Sequence, residues 1–298
     1  MKRANRVIGA LVVVVVAVIN AEVGRRVINQ WIDPASYIGL WLLSAAVMAL
    51  VGQRFSPLKD VANRWQGEAL ASRQMPPFTT WRLAGLLFLA VTSAVFACRL
   101  LDIATLGLVV VASVQGVLGL VSRSTHQHWL WMGLMLIFAG LGYLLAPGMY
   151  APSPLGMVLG LISGAAWASF WLQVTQGAHQ ADVIVATSLR MSLLLVLPLI
   201  IFTLPNGFLS LRGVGFAVLA GAFFVFAVGV FWRMMASTQR LLAQQLIWVA
   251  VLLALMSLVA WDQSSMMNMR LTSAAVVVVV GVVVIGVAGR AEDPDQLT

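Results

Sequence analysis

The residues that could do chemistry in this chain are the few polar side chains inside long apolar segments. Glu22 is the one carboxylate within such a segment. A helix rising ~1.5 Å per residue from Val7 carries it roughly 22 Å along, beyond the middle of a ~30 Å hydrocarbon core. There a carboxylate could bind a proton or a cationic substrate group. The alternative, slightly favoured by the sequence, is neutralisation at the membrane surface by Arg25 and Arg26.

Other polar residues lie within apolar segments, where water is absent and each polar group needs a partner or a cavity. Arg190, roughly 10 Å into a segment that starts at Val183, could bind a substrate carboxylate. Its commoner fate is to extend to the cytoplasmic surface. Hydrogen bonds between helices are likewise the alternative to a cavity for the uncharged residues. The uncharged candidates for substrate binding are Asn20, Ser113, Gln115, Gln244, Gln245 and Trp248.

The segment from Ser153 to Val174 carries two stripes of residues spaced four apart. One stripe, of glycines, allows a second helix to pack backbone to backbone. The other, of aromatic and hydroxyl side chains, lies beside it on the same helix and could line a substrate cavity or pack. The glycine stripe is Gly156, Gly160 and Gly164; the second stripe is Ser163, Trp167 and Trp171.

Composition identifies the class of protein. The 298 residues are 61% hydrophobic and 9% charged, whereas soluble domains contain about 25% charged residues. We therefore expect an all-α integral membrane protein. The net charge of +8 comes from basic residues scattered between apolar runs, which indicates loops at an anionic membrane surface and no nucleic acid. Apolar runs predict ten transmembrane helices, at about 7–27, 35–52, 82–98, 101–122, 129–147, 155–174, 183–204, 213–233, 241–261 and 271–289.

The distribution of basic residues predicts how these spans are oriented. With the N-terminus inside, 13 of the 18 lysines and arginines fall in cytoplasmic segments. The five that remain outside are Arg25, Arg26, Arg99, Arg212 and Arg270. We expect a multi-pass protein of the bacterial inner membrane with both termini in the cytoplasm.

Two pairs of similar stretches indicate an internal repeat. CRLLDIAT, from Cys98, and WRMMASTQ, from Trp232, each pass from the third span of a half into the fourth. IGALVVVVVAVINAEVG likewise aligns with LGMVLGLISGAAWASFW. Five spans per half is an odd number, so the second copy enters the membrane inverted, and in such folds the substrate site lies between the repeats. We predict two five-helix inverted-topology repeats, residues 1–150 and 151–298, the second ending in a short disordered tail.

This layout resembles a known family. GLISGAAWASFWLQV, followed about twenty residues on by Arg190 in the seventh span, is similar to the drug/metabolite transporter superfamily, and within it to the ten-span EamA group. The resemblance covers residues 7 to 290. It implies an inner-membrane secondary transporter that exports small metabolites such as amino acids. The two halves would rock around a central cavity lined by spans one, four, six, seven and nine.

The expected partners are a small-molecule substrate and the lipid bilayer; a coupling proton and a homodimer stay open. No cofactor or metal is expected, because Cys98 is the one cysteine and the three histidines form no metal-binding pattern. GxxxxGK[ST], HExxH and GxSxG are absent, so we expect no enzyme. The first alternative is a non-transporting or degenerate membrane scaffold. An intramembrane lipid-modifying enzyme is the less favoured alternative.

The charge distribution gives a test of orientation. In a Cys98→Ser background, a cysteine replacing Arg64 should react with a thiol reagent only when the reagent enters the cytoplasm, because position 64 lies in a segment predicted to be inside. A cysteine replacing Tyr150 should react from outside and serves as the control. Labelling of position 64 in intact cells by an impermeant reagent would reverse the predicted orientation.

Overall fold

The structure is a computed structural model, and it describes residues 3–55, 77–121, 127–146, 151–176, 181–203, 209–235, 249–254, 256 and 269–290. This part of the chain is helical apart from turns and one isolated antiparallel bridge between Ile32 and Leu209. The described helices are α1 (Arg3–Gln30), α2 (Pro34–Phe55), α3 (Pro77–Ala97), α4 (Ile103–Val121), α5 (Gln127–Leu145), α6 (Pro154–Gln176), α7 (Ala181–Thr203), α8 (Leu211–Met235) and α9 (Met269–Arg290). Residues 249–254 are also helical.

Seven of these helices are long and apolar enough to cross a membrane, namely α2, α3, α4, α5, α6, α8 and α9. The all-helical fold predicted from composition is therefore confirmed in the described residues, in which seven helices are candidates to cross a membrane. Nine of the ten predicted spans coincide with a described helix to within five residues at either end. The ninth predicted span, 241–261, is described only at 249–254 and 256.

Short polar residues begin several of the helices. The Asp102 carboxylate accepts hydrogen bonds from the Thr105 main-chain N–H at 2.8 Å and from the Thr105 hydroxyl at 2.5 Å, which caps α4. Asp33 caps α2 by accepting from the Ser36 N–H at 2.8 Å. Such capping satisfies main-chain donors that have no partner inside the helix. It explains why α2 and α4 begin where the apolar runs of the sequence begin.

The glycine stripe of α6 packs against another helix, as its spacing predicts. A Cβ atom added at Gly164 would lie 2.5 Å from the Val110 carbonyl oxygen and 2.6 Å from the Ser113 Cβ, both on α4. At Gly160 the nearest atom would be the Val109 Cγ1, at 2.9 Å. Within lipid, helices associate through such close packing and hydrogen bonding, since lipid is as apolar as the side chains. The glycines therefore set how closely α4 and α6 approach.

Helices α5 and α9 form a second closely packed pair. A Cβ at Gly133 would lie 2.8 Å from the Gly281 carbonyl oxygen, and a Cβ at Gly281 would lie 2.7 Å from that of Gly133. Arg270, at the start of α9, donates to the Tyr143 carbonyl oxygen at 3.0 and 3.1 Å and also to that of Ala146. A basic side chain at this position satisfies carbonyls at the end of α5 that have no partner within the helix. The pair is thus fixed both near its middle and at one end.

Two buried apolar clusters hold the described helices together. The first joins α2, α3, α6, α7 and α8 to the end of α1, around residues such as Ile38, Leu87 and Phe170. The second joins α4, α5 and α9 to the 249–256 segment, around Leu108, Leu134 and others. Helices α4 and α6 contact each other extensively and connect the two clusters.

The glycine contact between α4 and α6 generates a test with a matched control. Gly164→Ala should lower the free energy of unfolding in detergent by about 1–3 kcal/mol, because the added methyl forces two backbones apart. Gly85→Ala, on α3, should raise it by about 0.5–1 kcal/mol, because alanine is the better helix former and the added Cβ would have no described atom within 4 Å. Equal melting temperatures for the two variants would contradict the packing.

Candidate functional site

Glu22 forms an ion-pair cluster on α1. Its carboxylate accepts from Arg25 at 3.0 and 3.1 Å and from Arg26 at 2.6 Å. The Glu22 side chain is 14% exposed, whereas that of Arg26 is 60% exposed. This geometry is the one expected for the second of the two roles that the sequence allows for Glu22, which is neutralisation by Arg25 and Arg26. The two arginines compete with any cationic group for the same carboxylate oxygens.

The cluster lies beside the turn between α3 and α4. The Tyr37 hydroxyl lies 2.9 Å from where a Cβ of Gly24 would be, so α1 and α2 are close here. Cys98 lies in this turn. Burial raises the pKa of the Cys98 thiol to about 12. Since the thiolate is the reactive form, this cysteine is a poor nucleophile at neutral pH.

Asn20 and Ser163 both bond to the main chain of a neighbouring helix. The Asn20 side-chain amide donates to the Ala220 carbonyl oxygen of α8 at 3.1 Å. The Ser163 hydroxyl donates to the Ala90 carbonyl oxygen of α3 at 2.8 Å, and Ser163 is 4% exposed. Both were predicted as substrate-binding residues, and in this conformation both side chains are engaged in joining helices.

Trp167 and Trp171 belong to an aromatic cluster that joins three helices. The Trp167 ring lies 5.5 Å from that of Trp171, in a T-shaped contact, and 5.7 Å from that of Phe224 on α8. Phe224 in turn lies 4.7 Å from Trp41 on α2. Trp171 is 6% exposed and Trp167 is half-buried. The sequence did not indicate Phe224 or its contact with Trp41, because nothing in the spacing of α6 reveals what a distant helix places opposite it.

Gln115 differs from the other predicted site residues. It is 0% exposed, and neither its Oε1 nor its Nε2 has a hydrogen-bond partner among the described residues. Some buried hydroxyls are satisfied, since Ser113 donates to the Leu161 carbonyl oxygen at 2.7 Å and Ser192 to that of Leu189 at 2.8 Å, whereas the Thr92 hydroxyl is buried without a partner among the described residues. A buried polar group without a partner costs free energy, so each one needs an explanation.

The remaining predicted site residues lie apart from this group or outside the described residues. Arg190, on α7, is exposed. Gln244, Gln245 and Trp248 fall in 236–248, outside the described residues. In the described part of the chain, no three histidine, cysteine, aspartate or glutamate side chains come close enough to bind a metal ion.

The α1–α2 turn contacts the start of α8 at one end of the described helices. The Ser210 N–H donates to the Trp31 carbonyl oxygen at 2.9 Å, beside the Ile32–Leu209 bridge. The Trp31 ring stacks on that of Phe216 with centroids 5.4 Å apart. A Cβ at Gly213 would lie 2.7 Å from the Trp31 carbonyl oxygen, so only glycine allows this approach. We call the contact between 31–33 and 209–216 the turn junction.

Comparisons with known proteins place the chain within a fold but not within a family of known activity. No protein family profile matches it. It is similar to an uncharacterized protein of Pseudomonas aeruginosa, PA1977, with 30% identity over 198 residues. That match covers 64% of this chain and 62% of the relative, so the chain spans less than two thirds of the relative's length. A solved crystal structure of a protein has a similar fold, with a TM-score of 0.59 and 18% identity over 96% of this chain and 98% of that one.

The aromatic cluster generates a stability prediction. Trp167→Ala should lower the free energy of unfolding by about 3 kcal/mol, because it removes the ring that contacts both Trp171 and Phe224. Trp131→Ala is the matched control: Trp131, on α5, is 48% exposed, so its loss should change stability by less than about 1 kcal/mol. Thermal unfolding in detergent measures both, and equal losses would show that the cluster does not stabilise the fold.

Proposed function

We propose that this protein is a secondary transporter of the drug/metabolite type, which exports small metabolites such as amino acids across the bacterial inner membrane. In this proposal ten helices form two five-helix inverted repeats, and both termini lie in the cytoplasm. A substrate cavity between the repeats opens alternately to either side. The proposal rests on how the described helices pair and on the turn junction.

The pattern of helix contacts supports an inverted repeat. Exchanging the two halves would replace α1 by α6, α2 by α7, α3 by α8, α5 by α9 and α4 by the predicted ninth span. The extensive α1–α8 contact then corresponds to α6–α3, and α2–α8 to α7–α3, and all four are present. The α2–α7 and α5–α9 contacts each join two helices that replace each other in this exchange, so each contact maps onto itself. The α4–α6 contact corresponds to one between the ninth span and α1, where Val251 packs against Val14, Val18 and neighbouring residues.

Two hydrogen bonds support the inverted repeat in addition to the helix contacts. Asn20 reaches from α1 to the main chain of α8, and Ser163 reaches from α6 to the main chain of α3. The α1–α8 pair replaces the α6–α3 pair when the two halves are exchanged. In the alignment of the two halves Asn20 corresponds to Trp167 and Ser163 to Val16, so the two bonds join equivalent helix pairs about one helical turn apart. In inverted-repeat transporters the substrate site lies between the halves.

The turn junction supports alternating access. It joins the α1–α2 turn of the first half to residues 209–216, at the start of α8 in the second half, at one end of the described helices. By the charge distribution, this end faces outward. Among the described residues the junction itself consists of the main-chain hydrogen bond that forms the bridge, one ring stack and the close approach at Gly213. Opening the bundle from this end would also have to break the α1–α8 and α2–α8 contacts. The conformation described would then be closed to the outside.

A membrane scaffold is the second candidate. Ser163 and Trp171, predicted to line a cavity, are buried in contacts between helices, which favours packing as their role. A scaffold requires no movement at the turn junction and no solute flux. A measurement that depends on both therefore separates the two candidates.

The test is a reversible cross-link across the turn junction. In a Cys98→Ser background, Ile32→Cys and Leu209→Cys place two cysteines on directly opposed residues of the antiparallel bridge, where Cα atoms lie about 4.5–5.5 Å apart and a disulfide can form. Flux of radiolabelled amino acids is measured in proteoliposomes. Oxidation should abolish flux, and reduction should restore it, because alternating access requires the junction to open.

Each single-cysteine variant, oxidised in the same way, is the matched control and should transport normally. Flux that persists through the closed disulfide would exclude this junction as the gate. No flux of any amino acid, nucleoside or cationic drug in the unmodified protein, with or without a pH gradient, would favour the scaffold.

A further inference from the structure

One face of α1 combines an exposed apolar stripe with a basic cluster. Leu11, Val15 and Ile19 lie on this face, and each is exposed over half or more of its surface. At 3.6 residues per turn, Arg26 falls in the middle of the arc that these three residues span. The exposed face therefore carries apolar side chains along its length and an arginine close to its end. Such a face suits lipid acyl chains along most of its length and lipid headgroups at its end.

Arg26 lies about one helical turn before the end of α1. Gln30 is the last residue of the helix, and a separation of four residues places the Arg26 Cα about 6 Å from the helix end. The first residues of α2 and α8, two candidate spans, lie at the same end of the described helices. Arginines near the ends of membrane helices extend to the membrane surface, where lipid phosphates lie. The Arg26 side chain is 60% exposed, so its guanidinium is accessible to such a headgroup.

The ion pairs around Glu22 leave one positive charge in excess. Arg25 donates from Nε and Nη2 to the two carboxylate oxygens of Glu22, at 3.1 and 3.0 Å, and this paired contact is enough to neutralise the acid. Arg26 donates to the same carboxylate through Nε, at 2.6 Å. The other N–H groups of its guanidinium belong to the two Nη atoms, and no described residue accepts a hydrogen bond from them. One carboxylate and two guanidinium groups thus give the cluster an excess positive charge and donors that it does not use itself.

We propose that Arg26 binds the phosphate of an anionic phospholipid in the adjoining leaflet, with Glu22 holding the guanidinium in place through Nε. Arginine suits phosphate because its planar N–H groups donate in pairs to two phosphate oxygens. The phosphodiester of a lipid such as phosphatidylglycerol carries a single negative charge, which matches the excess charge of the cluster. A zwitterionic headgroup brings a cationic group of its own and gains less here. The inference requires that the protein lies in a membrane, but not that it transports a solute.

The apolar stripe favours a lipid over a soluble anion as the source of this phosphate. Ile19 and Val15 lie about 10 and 16 Å from Arg26 along the helix axis, which is close to the depth of one leaflet of a ~30 Å hydrocarbon core. The acyl chains of a lipid bound at Arg26 would lie along these side chains. A soluble anion would bind the arginine and leave the apolar side chains without a partner. A phospholipid therefore matches both the basic and the apolar part of this face.

Fluorescence quenching at one position tests the inference on the full chain in a bilayer. In a Cys98→Ser background, Gln30→Cys places a fluorophore at an exposed position one turn from Arg26. Phospholipids brominated near the glycerol quench it when they occupy the adjoining site. Phosphatidylglycerol should bind there about fivefold more tightly than phosphatidylcholine with the same acyl chains, which is the factor that one arginine at the membrane surface contributes towards anionic lipid. Arg26→Gln should bring this binding ratio close to one.

Two further variants separate this site from the overall charge of the protein. Arg82→Gln removes an exposed arginine near the start of α3, whereas the cluster lies beside the turn that follows the end of α3, so the ratio should not change. Arg26→Lys keeps the charge but not the paired N–H groups, so its ratio should lie between those of the unmodified protein and Arg26→Gln. Inorganic phosphate, added at constant ionic strength up to the bulk concentration of the lipid, should not displace the lipid, because the bilayer concentrates the lipid beside the protein. Melting temperatures verify that each variant folds.

Several results would overturn the inference. Among them are a ratio close to one in the unmodified protein, a ratio that survives Arg26→Gln, and an equal loss in Arg82→Gln, which would show an effect of overall charge. Displacement of the lipid by inorganic phosphate would identify a site for soluble anions and would overturn it as well. The cross-link across the turn junction tests transport independently, because quenching is measured without any transported solute and a failure of alternating access would leave the binding ratio intact.

Discussion

Close approach of helix backbones at glycine is the interaction on which the rest of this structure depends. In lipid the apolar side chains gain nothing from leaving the solvent, so contact between helices must come from fit and from hydrogen bonds. Gly164 admits the α4 main chain, Gly133 and Gly281 admit each other, and Gly221 admits Trp41 and Ser44 of α2. Side-chain hydrogen bonds follow from these contacts, since Ser113 and Ser163 reach a carbonyl oxygen of another helix only where helices are close.

The sequence alone predicts the elements of this fold better than their arrangement. Apolar run length predicts most helix ends to within five residues, and spacing of four predicts the packing stripe of α6. The caps, such as Asp102, were recognised only in the structure. The ion pairs of Glu22 were foreseeable because Arg25 and Arg26 are local in the chain. Contacts between residues far apart in sequence could not be foreseen in this way. Asn20 and Ala220, for example, are 200 residues apart, and no local pattern links them. For the same reason periodicity could not decide whether Trp167 faces a cavity or Phe224.

The polar residues fall into groups that share one physical rule. Hydroxyls such as Ser44 and Ser192 bond within their own helix, Asn20 and Ser163 bond to another, and Glu22 is held by arginines near a helix end. Each arrangement satisfies the polar group without water. Gln115 has the same need and no described residue to meet it.

The contacts also limit how the halves could move. The α5–α9 pair maps onto itself when the two halves are exchanged. It is fixed by reciprocal glycine contacts and by Arg270 at its end. Opening it would expose main-chain carbonyl oxygens and separate backbones in contact. The turn junction, by contrast, joins residues 31–33 to residues 209–216 through one main-chain hydrogen bond and one ring stack among the described residues. In the proposed transport cycle α5 and α9 would stay together, whereas opening at the junction would also have to break the extensive contacts of α1 and α2 with α8, including the Asn20–Ala220 hydrogen bond. The α2–α7 contact, which also maps onto itself, would then have to slide, and the side chains that form it are apolar ones such as Leu42 and Leu189. Apolar contacts lose little when they shift along a helix, because no hydrogen bond has to be broken and remade.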